Sequence, residues 1–328
     1  MNTCHIHGIG TYVPARTLTN ADLATMVDTT DEWITSRTGI KTRHLLASDE
    51  NASDAGLIAA RKALEQAGLS PADVTHVLVA TCTPDCLCPS TACILAGKLG
   101  CGHVMALDFN AACSGFLYGL EMARCLLHSH PNATVLLVST EALSRRTNWT
   151  DRSTCVLFGD GAGAMVLRAQ AAAPVLGQVR DVQCASDGAL WELITIGGGT
   201  SVRYEPGQPV GDDFFLHMQG REVFKHAVRN MASICQEMLR RNGMTIADVD
   251  LLVPHQANIR IIDAVGSRLD VDPAHVFANV ADYGNTSSAS VILALWDAWQ
   301  QGRITAGSRV LTTSFGAGLT WGAALLQF

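Results

Sequence analysis

Charge is scarce in this chain of 328 residues: 16% of positions are Asp, Glu, Lys or Arg, and the net charge is −7. No Lys/Arg run interrupts that acidic balance, so nucleic acid is not expected as the main partner. No apolar stretch is long enough to cross a bilayer, so no membrane insertion is expected. The opening residues MNTCHIHGIGTYVP lack a basic region followed by an apolar one, so no secretory signal is expected. A cytoplasmic protein with reduced thiols follows. Four of its 11 cysteines (Cys82, Cys86, Cys88 and Cys93) crowd into CTPDCLCPSTAC. Paired C-x-x-C knuckles and interleaved histidines are missing there, so a loop is the better reading and no metal is expected. What remains is 48% hydrophobic and holds 29 Gly. That suits a tightly packed α/β protein of two domains or halves.

The stretch HVMALDFNAACSGFLYGLEMA, His103 to Ala123, organises the rest. Val104 to Phe109 reads as a buried strand, and Phe116, Leu117, Leu120 and Ala123 recur at helical spacing. Cys113 therefore lies where a strand ends and a helix begins. Unpaired amides and the positive helix end favour a thiolate there. A buried, inert cysteine is the competing reading. The segment DTTDEWITSRTGIKTRH (Asp28 to His44) sets Trp33 beside Arg37, Lys41, Arg43 and His44. Either it is a solvated helix end or a surface where an aromatic ring and guanidinium groups meet a nucleotide. Ser53 to Gly68 reads as a helix, and Val74 to Thr81 and Ala133 to Ser139 as strands. FGDGAGAMVL (Phe158 to Leu167) is glycine-rich, but no helix follows it, so packed strands are favoured over a phosphate loop. Gly197 to Gly211 reads as a loop, and Gly220 to Arg241 as a long amphipathic helix.

Similarities repeat in the same order. ADVTHVLVATCT at Ala72 is echoed by ADVDLLVPHQAN at Ala247, and ATVLLVSTEAL at Ala133 by SRVLTTSFGAGL at Ser308. Counted from each ADV, Cys113 and Ser288 fall at the same offset. A duplicated α/β unit is expected, with a boundary near Gln170–Pro174 that separates 1–172 from 173–328. A site between the halves would gather Cys113, His255 at the end of the strand LLVPH, and Asn285 in the turn YGNTSSAS. Singly, the last two read as a structural histidine and a turn residue.

Taken together, DTTDEWITSRTGIKTRH, DFNAACSGFLYGL, FGDGAGA, VPHQANIRII, YGNTSSAS and SFGAGLTWGAALL resemble the β-ketoacyl-acyl-carrier-protein synthase III family, in that family's order. The resemblance implies a duplicated thiolase fold, layered αβαβα with two mixed sheets, and a homodimer. It also implies an acyltransferase that condenses an acyl-CoA primer with a malonyl-acyl-carrier protein at the start of fatty acid synthesis. CoA thioesters would serve as substrates, without a cofactor. Cys113 would carry the acyl group, His255 and Asn285 would hold the malonyl thioester, and the amides of Cys113, Gly316 and Ala317 would form the oxyanion hole. Trp33 and Arg152 match residues that sandwich the adenine, Arg37 a phosphate contact, and Gly220 and Asn258 positions beside pantetheine. Phe158 and Phe315 match pocket aromatics, and Lys225, Arg260 and Arg268 the carrier-binding surface.

Two positions depart from the family. Cys88 stands where a Phe closes the partner's acyl pocket, and the carrier-binding helix holds fewer charges. Both leave room for a related secondary-metabolite ketosynthase that takes an unusual starter, with malonyl-CoA as an alternative donor. A thiolase would need a second cysteine where Ser314-Phe315-Gly316 stands. A hydroxymethylglutaryl-CoA synthase would need a Glu acid/base that is not found from the sequence. A cysteine-dependent hydrolase or plain acyltransferase stays open, and a pure interaction module is disfavoured.

Overall fold

The computed structural model describes residues 4–171, 174–199 and 211–328. The expected boundary at 172/173 and most of the loop from Gly197 to Gly211 lie outside them. The first half contributes β1 (Cys4–Tyr12), β2 (Arg16–Thr19), β3 (Thr42–Leu45), β4 (His76–Ala80), β5 (Met105–Phe109), β6 (Thr134–Glu141) and β7 (Gly161–Arg168). The second contributes β8 (Gly177–Ser186), β9 (Ile194–Ile196), β10 (Leu216–Met218), β11 (Leu251–Pro254), β12 (Arg309–Gly316) and β13 (Thr320–Gln327). Two small ribbons, β2 with β3 and β9 with β10, stand apart from one nine-stranded sheet ordered β11-β12-β13-β8-β1-β7-β6-β4-β5.

Read outward from its centre, that sheet runs β1-β7-β6-β4-β5 one way and β8-β13-β12-β11 the other. These are the same positions in the same order, as duplication predicts. Beyond β11 the fifth position is reduced to a single parallel bridge, Leu252 to Val276. Two separate sheets were expected; here they are joined. Antiparallel pairing of Cys4–Ile6 with Gly177–Val179 links β1 to β8. Each is the innermost strand of its half, and unpaired backbone groups between them would be costly to bury.

The five layers appear as expected. Helices α1 (Asn20–Leu23) and α2 (Asp31–Thr38) lie beside the β2–β3 ribbon, and α3 (Ala52–Ala67) and α4 (Thr91–Leu99) pack on the first-half strands. Next comes α5 (Gly115–Ser129), the central helix of the first half. In the second half, α6 (Gly220–Arg241) and α7 (Ile259–Arg268) form the opposite outer layer, α8 (Val280–Tyr283) is a single turn, and α9 (Ser290–Gln300) is central. Both central helices touch both halves: α5 packs on β4, β6, β8 and β13, and α9 on β1, β7 and β11. In α9 the run from Ser290 to Leu295 is buried throughout, as expected for a helix between two layers of strands. Contact at the outer face is equally close. A Cβ on Gly10 of β1 would come within 2.2 Å of the Ala59 carbonyl oxygen in α3, so only glycine fits. FGDGAGAMVL is the entry to β7 and the strand itself, which favours the packed-strand reading over a phosphate loop.

Candidate active site

Cys113 occupies a 3₁₀ turn, Ala112–Ser114, between β5 and α5. The turn is set by Asn110, whose Oδ1 accepts the Ala112 N–H at 2.9 Å, and by Ala112 at φ 46°. Burial pushes the Cys113 thiol up to about 12. Ser287, whose hydroxyl also faces Cys82, opposes that rise, and the buried Glu141 carboxylate adds to it. The helix end expected to favour a thiolate is thus outweighed at rest, because protein atoms crowd the sulfur deep in the cavity wall. The positive end of α5 can still stabilise charge that develops during attack.

His255 directly follows β11 and is 2% exposed. Its N–H donates to the Thr313 carbonyl at 2.7 Å, and its Nδ1 lies 2.5 Å from Ser290 Oγ. Burial pushes its pKa down to about 3, so the ring is neutral. Asn285 is fixed by backbone bonds to the Leu157 carbonyl and from the Gly159 N–H. Its Oδ1 accepts the Ser287 N–H at 2.9 Å, which turns its amide N–H groups outward as donors.

One cavity of about 730 Å³ brings these elements together, with Cys113, His255 and Asn285 all in its wall. Gly316 and Ala317 line it beside the cysteine; a Cβ on Gly316 would come within 2.6 Å of the Cys113 nitrogen. Phe158 and Phe315 are buried in the same wall. Arg37, Gly220, Asn258, Lys225 and Arg260 also reach it. Asn258 caps α7 by accepting the Ile261 N–H at 3.0 Å, leaving its amide N–H groups for a ligand. Lys225 pairs with Glu222 at 2.8 Å, and Arg260 lies over the Phe224 ring.

Trp33 and Arg152 meet next to Arg37, outside the cavity wall. The Arg152 guanidinium carbon sits 4.7 Å from the Trp33 ring centroid, and that of Arg37 5.1 Å. A base held between ring and guanidinium needs about 7 Å, two van der Waals spacings, so the Arg152 pair must part to admit one. Two expected residues stand elsewhere. Cys88 is exposed on its loop, and Arg268 is exposed at the far end of α7. Among the thiols of CTPDCLCPSTAC, Cys82 lines the cavity and the other three are exposed.

Sequence reading missed three residues near the turn: Ser287, Ser290 and Glu141. Glu141 ends β6 with both carboxylate oxygens occupied. Oε2 accepts from Thr83 Oγ1 at 2.7 Å and the Cys82 N–H at 3.1 Å, and Oε1 from Ser288 Oγ at 3.0 Å. It does not line the cavity, so it is not placed as an acid/base toward substrate. The repeat offset could have found all three, since it aligns Ser287 with Ala112, Ser290 with Gly115 and Glu141 with Gly316.

Known proteins resemble this chain in sequence and fold. The family model 3-oxoacyl-[acyl-carrier-protein (ACP)] synthase III matches residues 107–188, and the model of that synthase's C-terminal part matches 239–328. A β-ketoacyl-[acyl-carrier-protein] synthase III of Nitratidesulfovibrio vulgaris is 59% identical over 325 residues, covering 99% of this chain and 98% of its own. A crystal structure of 3-oxoacyl-[acyl-carrier-protein] synthase III from Aquifex aeolicus aligns with a TM-score of 0.91 at 41% identity, covering 99% of this chain and 100% of that one. The priming β-ketosynthase of a polyketide biosynthetic pathway aligns at 0.90 and 36% identity, covering 99% and 96%.

Proposed function

The chain belongs to the 3-oxoacyl-[acyl-carrier-protein] synthase III family, and from that premise we propose how its residues divide the work. It is a condensing acyltransferase of the thiolase fold. The primer enters as acyl-CoA, its adenine between Trp33 and Arg152, a phosphate at Arg37, and pantetheine beside Gly220 and Asn258. Cys113 Sγ attacks the thioester carbonyl while the amides of Cys113 and of the Gly316-Ala317 turn hold the oxyanion. The bond to CoA breaks, and CoA leaves as the thiol with the proton that Cys113 gave up.

Malonyl-acyl-carrier protein then docks through Lys225, Arg260 and Arg268. Its thioester carbonyl accepts hydrogen bonds from His255 and Asn285. The bond to the carboxylate breaks, CO2 departs, and the electron pair becomes an enolate. The enolate carbon bonds to the acyl carbon, the bond to Cys113 breaks, and the sulfur takes a proton from solvent. Decarboxylation makes the carbanion, so a neutral His255 needs no basic strength. No cofactor enters these steps. In this reading the half 1–172 supplies the nucleophile and the half 173–328 the two donors, in a cytoplasmic enzyme.

The observation that carries the reading is the placement of Cys113, His255 and Asn285 on one cavity, with the acceptor end of each donor already occupied. The test is a mass shift. Incubation with a panel of acyl-CoAs should acylate Cys113, and added malonyl carrier should remove the adduct as a 3-oxoacyl thioester. An adduct that no malonyl donor extends would leave a plain acyltransferase. The likeness to a priming β-ketosynthase and the small Cys88 favour a second reading, an unusual starter in secondary metabolism. The primer with the highest kcat/KM, and whether malonyl-CoA replaces the carrier, decide between them.

A homodimer fits the open side of the sheet. Strand β5 pairs with β4 alone among the described residues. Met105 on it is 47% exposed, and Leu87 beside Cys88 is 88% exposed. Pairing β5 with its copy would cover the edge and bring each Cys88 loop toward its partner. Light scattering should give twice the chain mass; a monomer at micromolar concentration would rule the dimer out.

A further inference from the structure

We infer that Ser290 is a positioning residue that holds His255 as its Nε2–H tautomer, so that the ring meets substrate as a hydrogen-bond donor. Ser290 opens α9 and is 2% exposed, like His255 itself. Its Oγ accepts the Gln256 N–H at 3.2 Å and lies 2.5 Å from His255 Nδ1. A serine hydroxyl has one proton to donate. Among the described residues it has no acceptor but Nδ1, so Nδ1 is the bare nitrogen and Nε2 bears the hydrogen. The neutral ring has one donor and one acceptor, and this contact decides which of them is left for the cavity. Without the hydroxyl, Nδ1 could take the proton, and Nε2 would present a lone pair to an oxyanion.

The duplicated half strengthens the assignment. The repeat offset aligns His255 with Ala80 and Ser290 with Gly115. A Cβ on Gly115 would come within 2.9 Å of the Ala80 Cβ and 3.1 Å of the Ser288 Cβ. Where the strand ends in alanine, the helix therefore begins with a residue that has no side chain. Where histidine follows the strand, the helix begins with the hydroxyl that binds the ring. The two positions differ together, as expected of a working pair.

This inference rests on the proposed role of His255 as a donor, and the experiment separates the two. Histidine is labelled with ¹⁵N in the full-length enzyme, and the His255 signal is assigned by its loss in His255→Ala. At neutral pH the wild type should show the Nε2–H pattern, and Ser290→Ala a mixture of tautomers. Condensation by Ser290→Ala should fall about 10- to 100-fold, short of the ~100- to 1000-fold cost of deleting a donor outright. Acylation of Cys113 by acyl-CoA should stay within about twofold, since that step uses backbone donors. An Nδ1–H pattern in the wild type overturns the inference whatever the variant does. So does a Ser290→Ala enzyme that keeps tautomer and rate, or one that loses both steps equally. If His255→Ala condenses normally, the donor role fails instead, while the tautomer assignment stands.

Discussion

The segments Asn110-Ala-Ala-Cys113 at the head of α5 and Asn285-Thr-Ser287-Ser288 at the head of α9 have the same backbone. Each asparagine Oδ1 accepts the N–H two residues on, at 2.9 Å in both. Ala112 and Ser287 sit at φ 46° and 50°, a region non-glycine residues rarely adopt. Each turn then becomes a 3₁₀ turn and a central helix. The side chains differ at every position that matters. Cys113 lines the cavity, while Ser288 is bonded to the Ala80 carbonyl at 3.2 Å and to Glu141. The strand end beside the cysteine's half is Ala80; its counterpart is His255. Gly316 lies bare against the Cys113 nitrogen, whereas Glu141 fills the equivalent place against Ser288. Duplication built two sockets of one shape, and in the proposed reaction each half supplies only part of the chemistry.

The sharpest way to break that comparison is to empty the working socket. Cys113→Ala should form no acyl adduct, and turnover should fall by about 10⁴-fold or more, the scale of losing a nucleophile. Persistent adduct by peptide mapping would move the nucleophile elsewhere, Cys82 being the nearest candidate in the cavity wall. Next come the donors from the other half. His255→Ala and Asn285→Ala should each slow condensation by ~100- to 1000-fold and leave acylation nearly intact. Equal loss in both steps, measured by single turnover, would mean that the halves do not divide the work.

The difference between Gly316 and Glu141 can be tested from both sides. Gly316→Ala sets a methyl 2.6 Å from the Cys113 nitrogen. Shifting the turn to relieve it should cost about 1–3 kcal/mol and slow acylation more than condensation; unchanged burst kinetics would show that the bare position is not required. Ser288→Ala removes one donor to a buried carboxylate, so urea denaturation should show a loss of about 1–3 kcal/mol. Its kcat should hardly move. A large fall in kcat would make the second socket part of the reaction.

Long, strongly patterned elements were legible: the helix from Gly220 to Arg241 appears at the expected bounds, and the repeat offset located the socket of Ser288. The joining of the sheets was not. It depends on three residues at each strand's start, too short a pairing to leave a pattern. Reading the strand from Ala133 only as far as Ser139 stopped short of Glu141, because a carboxylate is seldom buried and its partners come from the loop after β4 and the turn before α9. Ser290 left no local sign either, since a serine at a helix start is ordinary capping chemistry until the histidine opposite is seen. The resting state of Cys113 stayed open in the sequence for a related reason. Helix position is visible in sequence, whereas the depth of burial that outweighs it is not.

The smallest effect concerns His255 against Ala80, because only one of the two sockets carries a titratable strand end. Burial lowers the His255 pKa to about 3, while an unfolded histidine titrates near ~6.5. Below that value the unfolded chain binds a proton that the native chain refuses, so stability is lost as pH falls toward about 3. Between pH 7 and pH 5.5 the loss from this one site should be about 1 kcal/mol. Burial lowers His5, His7 and His76 in the same direction, so the acid limb has several sources. Glu141 works the other way: its raised pKa favours the native state at low pH and gives that up as pH rises. His255→Asn should therefore flatten the acid limb without abolishing it, as read from urea midpoints at the two pH values. An unchanged slope would mean that the folded ring takes up a proton as readily as the unfolded one, so that burial does not hold it as the neutral donor that the asymmetry of the two sockets requires.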